Sequence, residues 1–493
     1  MSKLLTGSVK QHMFRLALPG VAGAFAMMVF NLTDTWFVAH LGTEELAAMG
    51  FTFAVIMVVG ALAIGFSAGA ASIISRALGA GNRILAGRTV SDGLVLTILG
   101  TVVVSGVGLC NLNRIFSMLG AEGRVLNLVH EYMQVWFLGA VFAIMPPVSD
   151  GCLRAAGDMV RPVIVMIACA LLNVVLDPIL IFGWGPVPAY GIQGAAIATI
   201  ISRGLGATAS LVILHYKHQL IDWDIPHFRH LMQSWREIIR LGVPAALTQA
   251  LMPVAQGFYI RLAFGVGGVK AVAAMATGTR VEMIVFIISM SYSMAIVPFV
   301  GYNFGAQAHN RVEDVRRISI RFALTYAGIT LLLLIPTARW ISSWFSSDLE
   351  VIRLSVIYLI IAVFGHAGLH VSTWMGQLLN VIGKPRPVMR INLCRVFLYI
   401  MPLCLLGSCL FGFPGLVVGI VLGNLLGGVQ AYWTARRELF RVASSSDRRL
   451  SGDAPAADCP RVHRQERGSL TGLLSEEMLD HRRNIAGRKE NSE

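Results

Sequence analysis

The chain has 493 residues, of which 55% are hydrophobic and only 14% are charged, and its mean hydropathy is +0.68. Soluble domains carry about 25% charged residues, so a soluble globular protein is excluded. The formal net charge is +13, and residues 438–493 add nothing to it because ten basic residues there balance ten acidic ones. The basic surplus falls in short loops between apolar segments. This arrangement favours membrane topology and predicts no nucleic-acid partner.

Twelve apolar segments, each long enough to cross a bilayer as a helix, follow one another along the chain. They predict an all-α polytopic membrane protein with twelve transmembrane helices. The segments occupy residues 14–38, 52–75, 91–113, 131–153, 162–183, 192–214, 239–264, 280–303, 320–340, 355–379, 389–411 and 415–436. The predicted organisation is a cytoplasmic N-terminus (1–13), an N-terminal six-helix lobe (14–214), a cytoplasmic linker (215–238), a C-terminal six-helix lobe (239–437) and a charged, disordered cytoplasmic tail (438–493).

The loop charges give the direction of insertion. With a cytoplasmic N-terminus, the inner segments contain 21 Lys and Arg residues, whereas the outer loops contain 6. Such a bias towards one side is typical of cytoplasmic loops. The sequence therefore predicts a multi-pass protein of the plasma membrane (the inner membrane of a bacterium) with both termini in the cytoplasm.

Four pairs of similar segments recur in order at an offset of 225 or 226 residues, which indicates an internal duplication. They are FRLALPG with IRLGVPA, LAAMGF with VAAMAT, GAGNR with GAQAH, and LRAAGDMVRP with LNVIGKPRP. Each half contains an even number of spans, so both halves start on the same side. We expect two bundles related by a pseudo-two-fold axis along the membrane normal, rocking about a site near the midplane.

Ionisable residues inside the spans are costly, by roughly 2.5–3.5 kcal/mol on insertion scales, and each therefore suggests a function. Asp34 lies deep in the first span, and Asn31 lies three residues before it. Asn173 and Asp177 in the fifth span are four residues apart and face one way. Two coupled carboxyls would hold one proton near neutrality, or their oxygens would bind Na⁺. The alternative is a capped helix end or a structural hydrogen bond.

The second half lacks this pair of carboxyls. The position of Asp34 corresponds to Tyr259 or Ile260, and that of Asp177 corresponds to Leu403. Glu282 falls near the predicted end of the eighth span, where it would pair with a loop arginine. The sequence therefore predicts that ion coupling belongs to the first half and that the second half supplies mainly cavity wall.

Other polar residues are candidates for lining the cavity. They are Asn31, Arg203, Tyr259, Arg261, His366 and His370. For the two histidines, taking part in proton transfer is a second possibility, and packing or hydrogen bonding is the alternative. Pro19 precedes Asp34 on the same predicted helix, and a proline inside a membrane helix favours a bend. Protonation of Asp34 would then be coupled to bending of that helix.

Three stretches resemble the multidrug and toxin extrusion (MATE) transporters, over about residues 10–437. They are FNLTDTWFVAHLGTEELAAMGF, LRAAGD and LLNVVLDPILIFGWGPVPAYGIQGAAIAT. The resemblance implies a secondary antiporter of two six-helix lobes that exports cationic or amphiphilic compounds in exchange for H⁺ or Na⁺.

Carried onto this sequence, the cation site of the family maps onto Asp34, Asn173, Asp177 and Thr199, and a first-helix proline that the family associates with bending maps onto Pro19. Helices 7 and 10 lack the carboxylates of the NorM-type branch, which points to the DinF-like branch. The implied partners are the lipid bilayer and small organic substrates, for a monomer without a cofactor.

Two other functions compete with transport by antiport. A flippase for lipid-linked saccharides or other lipids can share the helix count, but it would need many cationic residues, and only Arg203, Arg261 and Arg395 are available. A membrane enzyme is disfavoured because the chain has no HExxH, DDxxD or paired metal ligands, so no metal other than Na⁺ is expected. Oxygen ligands serve H⁺ and Na⁺ alike, and the sequence leaves both open.

Overall fold

The computed structural model describes residues 4–222 and 228–450 of the chain. These residues fold into long helices joined by short turns. The helices are α1 (Val9–Ala39), α2 (Thr43–Gly79), α3 (Arg83–Cys110), α4 (Leu112–Met118), α5 (Gly123–Leu138), α6 (Ala140–Ala155), α7 (Val160–Phe182), α8 (Ile192–Val212), α9 (Phe228–Gly305), α10 (His309–Phe345), α11 (Leu349–Val381), α12 (Pro385–Leu393) and α13 (Met401–Leu450), and π-helical turns extend α8 over Ile213–His218 and join α12 to α13 over Cys394–Ile400.

Twelve spans emerge when bends and breaks are taken into account. Within the described ranges, nine helices are long and apolar enough to cross a membrane, and α5 with α6, bent by 55°, forms one more span. Two of the long helices are double. The backbone of α9 leaves helical geometry at Gly267 and Gly268, and that of α13 does so at Gly412. Gly268 (φ 58°) and Gly412 (φ 62°) occupy the left-handed region that glycine adopts without a steric penalty.

The helix bounds repeat at an offset of 226 residues, as expected for a duplicated fold. The bounds of α2 correspond to residues 269–305, the second half of α9, and the start of α3 corresponds to the start of α10. The bent pair α5–α6 corresponds to α11. The protein therefore consists of two related six-helix bundles, which we call the N-lobe and the C-lobe.

The two lobes touch where backbones approach closely. A Cβ atom at Gly65 on α2 would lie 2.6 Å from the carbonyl oxygen of Gly242 on α9, and one at Gly79 would lie 2.3 Å from that of Tyr302. Small residues allow membrane helices to pack at this distance. Nearer the start of α2, Phe53 and Met57 are exposed. The contact between the lobes is therefore concentrated along the second half of α2.

The observed helices begin and end differently from the predicted spans at three places. The second half of α9 begins near residue 269, well before the predicted 280, and α9 itself begins at Phe228 inside the predicted linker. Helix α13 continues to Leu450, beyond the predicted lobe boundary. Polar residues with good helix propensity, such as those of the ARREL stretch, extend a helix past the apolar core of the membrane. Residues 223–227 of the predicted linker and 451–493 of the predicted disordered tail lie outside the described residues.

Candidate functional site

Helix α1 carries the first candidate carboxyl into the interior of the N-lobe. Asp34 is buried, with 8% of its surface exposed, whereas Asn31 one turn earlier is exposed. Pro19 lies inside α1, which remains helical through it. Asn31 and Asp34, which are close in sequence, therefore lie in different environments. The aspartate lies in the lobe interior, and the asparagine faces outwards.

Helix α7 supplies the second carboxyl and its amide neighbour. Both Asn173 and Asp177 are completely buried. The amide nitrogen Nδ2 of Asn173 donates a hydrogen bond of 3.0 Å to Oδ1 of Asp177. The four-residue spacing thus brings the two side chains together on one face, as the sequence predicts.

Helix α8 contributes a hydroxyl and a cation. Thr199 is buried, and Arg203 lies one turn later on the same helix. The guanidinium of Arg203 donates from Nη1 to the carbonyl oxygen of Ala143 at 3.3 Å and lies 5.3 Å above the ring of Phe30. Phe30 also lies one turn before Asp34, so this cation is held beside the helix that carries the carboxyl.

The residues of α1, α7 and α8 act on one another electrostatically. The charge of Asp34 interacts with those of Asp177 and Arg203, and the buried hydroxyl of Tyr132 on α5 interacts with both carboxyls. We give the name N-lobe cluster to the four residues that were predicted as the cation site, Asp34, Asn173, Asp177 and Thr199. The structure shows interactions among the first three and the burial of Thr199. Tyr132 was not singled out from the sequence, because a tyrosine in an apolar segment is distinguished only when it is compared with its equivalent in the second half.

The N-lobe cluster presents oxygens with unused capacity to accept hydrogen bonds or bind a cation. One oxygen from each of its four members is buried and has no hydrogen-bond partner among the described residues: Oδ1 of Asp34, Oδ1 of Asn173, Oδ2 of Asp177 and Oγ1 of Thr199. Buried polar atoms normally have partners. With both carboxyls ionised and Arg203 positive, the net charge is minus one, which a single monovalent cation would neutralise.

A second polar group lies in the C-lobe, where the sequence predicted no acidic site. Glu282 on α9 accepts a hydrogen bond of 2.9 Å at Oε2 from the hydroxyl of Tyr358, and its Oε1 lies 3.1 Å from Nε2 of His366. The prediction that Glu282 would pair with a loop arginine is wrong. Its helix begins near residue 269, so Glu282 lies about 20 Å along the helix, at 1.5 Å per residue, and faces α11.

The histidines of α11 are buried side by side. His366 is 2% exposed and His370 is fully buried, with their ring centroids 6.0 Å apart. Nδ1 of His370 lies 2.8 Å from the hydroxyl of Ser289, whose carbonyl oxygen accepts from Nε1 of Trp374. Both histidines were expected as candidates for lining the cavity. The structure places them inside the C-lobe, where one ring nitrogen of each has a hydrogen-bond partner and the other has none among the described residues.

The remaining candidates differ in exposure. Tyr259 is half-buried and interacts electrostatically with Glu282 and with the buried Arg395, whereas Arg261 is exposed. Sequence reasoning also missed Tyr358. It lies 226 residues after Tyr132, so both lobes carry a buried tyrosine beside acidic residues at the same repeat position. That offset was a signal in the sequence that could have identified both.

A polytopic bundle of two related lobes, with charged groups buried inside each lobe, has the architecture of a secondary transporter. The MatE family model matches residues 19–179 and 244–406, one match in each lobe. The chain belongs to the MatE family. Members of this family are transporters and not enzymes.

Several named relatives are similar along nearly their whole length. A FAD transporter of Shewanella oneidensis is 33% identical over 434 residues, which is 88% of this chain and 96% of that protein. The multidrug export protein MepA of Staphylococcus haemolyticus is 25% identical, over 85% of this chain and 91% of the relative. The probable multidrug resistance protein NorM of Thermotoga maritima is 29% identical, over 80% and 84%.

Solved structures share the fold. The MATE transporter VcmN of Vibrio cholerae in its bent form superposes with a TM-score of 0.83 at 28% identity, covering 88% of this chain and 98% of that one. An aspartate-to-asparagine variant of VcmN gives a TM-score of 0.82 at the same identity, covering 88% and 97%. The two-lobe architecture predicted from the sequence is thereby confirmed.

Proposed function

We propose that the chain is an ion-coupled antiporter that exports cationic or amphiphilic organic molecules in exchange for H⁺ or Na⁺. The N-lobe cluster of Asp34, Asn173, Asp177 and Thr199 binds the coupling ion. The protein lies in the inner membrane of a bacterium as a monomer with both termini in the cytoplasm, in accordance with the charge bias of its loops. No cofactor takes part.

The observation that carries the proposal is the set of buried, unpartnered oxygens in the N-lobe cluster. They come from three helices and include oxygens of two carboxyls that interact electrostatically, of which Asp34 also interacts with Arg203. A buried excess of one negative charge is unfavourable in a low-dielectric interior. Taking up one proton or one Na⁺ removes the excess, and releasing the ion restores it. This difference in free energy is what an ion-coupled cycle requires.

Helix α1 connects ion binding to movement of the lobes. It carries Asp34 within the N-lobe, and Gly20 on the same helix approaches Ser291 of the second half of α9, with 3.1 Å between the serine Cβ and a Cβ placed on that glycine. Pro19 stands next to this contact and leaves one carbonyl of α1 without its helical donor. A bend at Pro19 would alter the contact with the C-lobe, so occupancy at Asp34 can bias the opening between lobes.

The relatives suggest two chemical classes of substrate. Multidrug export proteins at 24–29% identity agree with cationic or amphiphilic drugs. The FAD transporter is more similar, at 33% over 96% of its length, and favours a flavin dinucleotide as a second candidate. Both classes are aromatic and amphiphilic but carry opposite charge. A lipid-linked saccharide, the substrate of a flippase, is supported by neither group of relatives.

The test is efflux from proteoliposomes containing the purified full-length protein. Ethidium and FAD are loaded separately, and a proton gradient and a Na⁺ gradient are imposed in turn. We expect at least one substrate to leave faster under one of the gradients than without it. The gradient that works identifies the coupling ion, and the substrate that moves identifies the chemical class.

The control is Asp34→Asn, which keeps the size of the side chain but removes its charge. We expect this variant to lose the gradient-driven part of transport and to retain folding. The antiporter proposal is contradicted if neither gradient moves ethidium or FAD. The assignment of the site is contradicted if Asp34→Asn transports as well as the unmodified protein.

A further inference from the structure

We propose that Glu282 and His366 form a second ion site, in the C-lobe, and that it binds a proton and not Na⁺. The inference rests on the proposed function for its role in transport, because a bound proton matters to transport only in an ion-coupled carrier. Its chemistry stands on the contacts of the C-lobe alone. Nothing in the sequence pattern of acidic residues pointed to it.

The partners of Glu282 distinguish it from the carboxyls of the N-lobe. Each of its oxygens already meets a polar hydrogen-bonding group, the hydroxyl of Tyr358 at 2.9 Å and Nε2 of His366 at 3.1 Å. Sodium is a hard cation that needs several oxygen ligands, whereas an imidazole and a phenol supply mainly N–H and O–H donors. The arrangement therefore disfavours Na⁺ and suits a proton.

His366 provides the position for that proton. When Nε2–H of the neutral ring donates to Glu282, the other ring nitrogen, Nδ1, is an acceptor. Nδ1 of His366 is buried and has no hydrogen-bond partner in the part of the chain that the structure describes. A proton transferred from hydronium forms an N–H bond at Nδ1, and the O–H bond that breaks leaves a water molecule. The hydrogen bond from Nε2–H to Glu282 is kept, and the pair changes from a net charge of minus one to an imidazolium–carboxylate pair of net charge zero.

In this proposal the added proton is held on the imidazole and not on the carboxyl. With Nε2–H of His366 donating, both oxygens of Glu282 accept hydrogen bonds, one from Tyr358 and one from His366. The other titratable or charged groups around the pair come from every neighbouring element: Tyr259 and Arg395, which interact with each other, Tyr326 on α10, His370 on α11 and Cys404 on α13.

Protonation would change how two spans are held together. Glu282 lies on the second half of α9, and Tyr358 and His366 lie on α11. In the unprotonated pair a neutral imidazole donates to the carboxylate, whereas in the protonated pair an imidazolium donates to it and the Coulomb attraction between the two charges is added to the hydrogen bond. The protonated pair therefore binds these spans more tightly than the unprotonated pair. Because the second half of α9 also contacts α2 of the N-lobe near Gly79, the state of the pair can bias the position of the C-lobe.

The experiment is nitrogen NMR of the full-length protein, labelled with ¹⁵N-histidine and reconstituted in liposomes. The resonance of His366 is identified by its loss in His366→Gln. We expect it to change from neutral imidazole to imidazolium between about pH 8 and pH 5, the range in which histidines change charge. In Glu282→Gln the ring should stay neutral over that range. Replacing choline chloride with sodium chloride should leave the wild-type titration unchanged.

The matched control is Glu350→Gln, since Glu350 is an exposed glutamate paired with Lys270. This variant should titrate as the unmodified protein does. The proposal is overturned if His366 keeps one charge state throughout, if Glu282→Gln leaves its titration unchanged, or if sodium displaces the proton. Tyr358→Phe, which retains the packing of the ring, tests the same pair should Glu282→Gln fail to fold: it should alter the titration of His366, and an unaltered titration counts against the site.

This readout is independent of transport. A protein that titrates at His366 but moves neither ethidium nor FAD would contradict the antiporter proposal and retain the proton site. A protein that transports normally but whose His366 does not titrate would contradict the proton site and retain the antiporter proposal. In a transporting protein, we also expect His366→Gln to lose the part of the pH dependence of efflux that remains in Asp34→Asn.

Discussion

The two lobes share their helices but not the chemistry inside them. In the N-lobe, carboxyls from α1 and α7 leave oxygens without hydrogen-bond partners among the described residues, beside Arg203. In the C-lobe, the carboxyl of Glu282 meets a phenol and an imidazole. Duplication thus preserved the positions of the spans while the polar side chains diverged. A helical framework needs only an apolar surface of the right shape, whereas an ion site needs particular atoms.

The same contrast recurs in the loops that follow α6 and α11. Gly157 and Gly383 occupy equivalent positions with positive φ, and the next residues are Asp158 and Lys384. Asp158 contacts Arg161 and His218, the latter at the end of the sixth span, whereas Lys384 lies 3.7 Å from Glu438 near the end of the twelfth. Each loop therefore contacts the last helix of its own lobe through a charged residue, which is acidic in the N-lobe and basic in the C-lobe.

The largest effect is expected from removing a carboxyl of the N-lobe cluster, the site that distinguishes the N-lobe from the C-lobe. Asp34→Asn removes the excess negative charge of the N-lobe cluster, whereas Asp314→Asn changes an exposed aspartate of α10. Removing one member of a buried charged group costs about 3 kcal/mol or more, so ion affinity should fall by on the order of 100-fold. Gradient-driven efflux measures the effect, and Asp314→Asn should transport normally. Equal loss in both variants would show that the effect is not specific to the N-lobe cluster.

The second prediction concerns the contact between the lobes. Gly79→Leu would force a side chain against the backbone of Tyr302, where a Cβ alone would lie 2.3 Å from its carbonyl oxygen. Overpacking of this kind costs about 1–3 kcal/mol and should favour conformations in which the two helices separate. The measurement is the distance between spin labels at Gly120 in the N-lobe and Ser346 in the C-lobe, each replaced by cysteine in a protein without other cysteines.

The matched control for that variant is Gly50→Leu on the same helix. A Cβ atom at Gly50 has no neighbour within 4 Å. It should therefore leave the distribution of label distances as it is in the unmodified protein. If Gly79→Leu behaves like Gly50→Leu, the close approach of α2 and α9 does not control the position of the lobes.

The third prediction uses the tyrosines that the repeat places at equivalent positions. Tyr358→Phe removes a 2.9 Å hydrogen bond to a carboxylate, and such bonds contribute about 1.5–3 kcal/mol. Tyr132→Phe removes a hydroxyl that acts on Asp34 and Asp177 electrostatically. We expect the C-lobe variant to lower the midpoint of thermal unfolding in micelles more than the N-lobe variant. The opposite order would mean that Tyr132 has the stronger partner.

The smallest expected effect concerns the loop after α6. Burial acts to raise the pKa of Asp158, but hydrogen bonds from His218 and Arg161 outweigh it and lower the pKa to about 2. Because the folded-state pKa is depressed, the stabilisation is present above the unfolded value of about 4 and is lost as the pH falls towards 2. Asp158→Asn should therefore destabilise the protein by about 1–2 kcal/mol at neutral pH.

Unfolding midpoints measured at neutral pH and near pH 3 check this prediction. The difference between Asp158→Asn and the unmodified protein should shrink at the lower pH. Lys384→Gln at the equivalent position of the C-lobe is the comparison. Its partner Glu438 lies at 3.7 Å, and a pair that is exposed at the lysine and separated by this distance contributes about 0–1 kcal/mol. A loss from Lys384→Gln as large as that from Asp158→Asn would contradict the ranking.

The two-bundle architecture and the contact between Asn173 and Asp177 in the N-lobe could be predicted from the sequence. The apolar spans and the 226-residue offset predict twelve helices in two bundles, and the four-residue spacing of Asn173 and Asp177 predicts their contact. Both are local or periodic features, and the period of the helix determines them. The exposure of Asn31 and the electrostatic interaction of Tyr132 with the carboxyls could not be predicted, since they depend on how α1, α5, α7 and α8 are rotated against one another.

The sequence by itself determined that this protein spans the membrane and is built from a duplicated bundle, because hydropathy and repetition are properties of the chain. Only the tertiary structure decided which polar residues act together. Glu282 and His366 are 84 residues apart, and Glu282 and Tyr358 are 76 residues apart. No local pattern connects residues so distant along the chain. Their contact arises because α9 and α11 pack against each other inside the C-lobe, where a buried carboxylate is stable only beside donors.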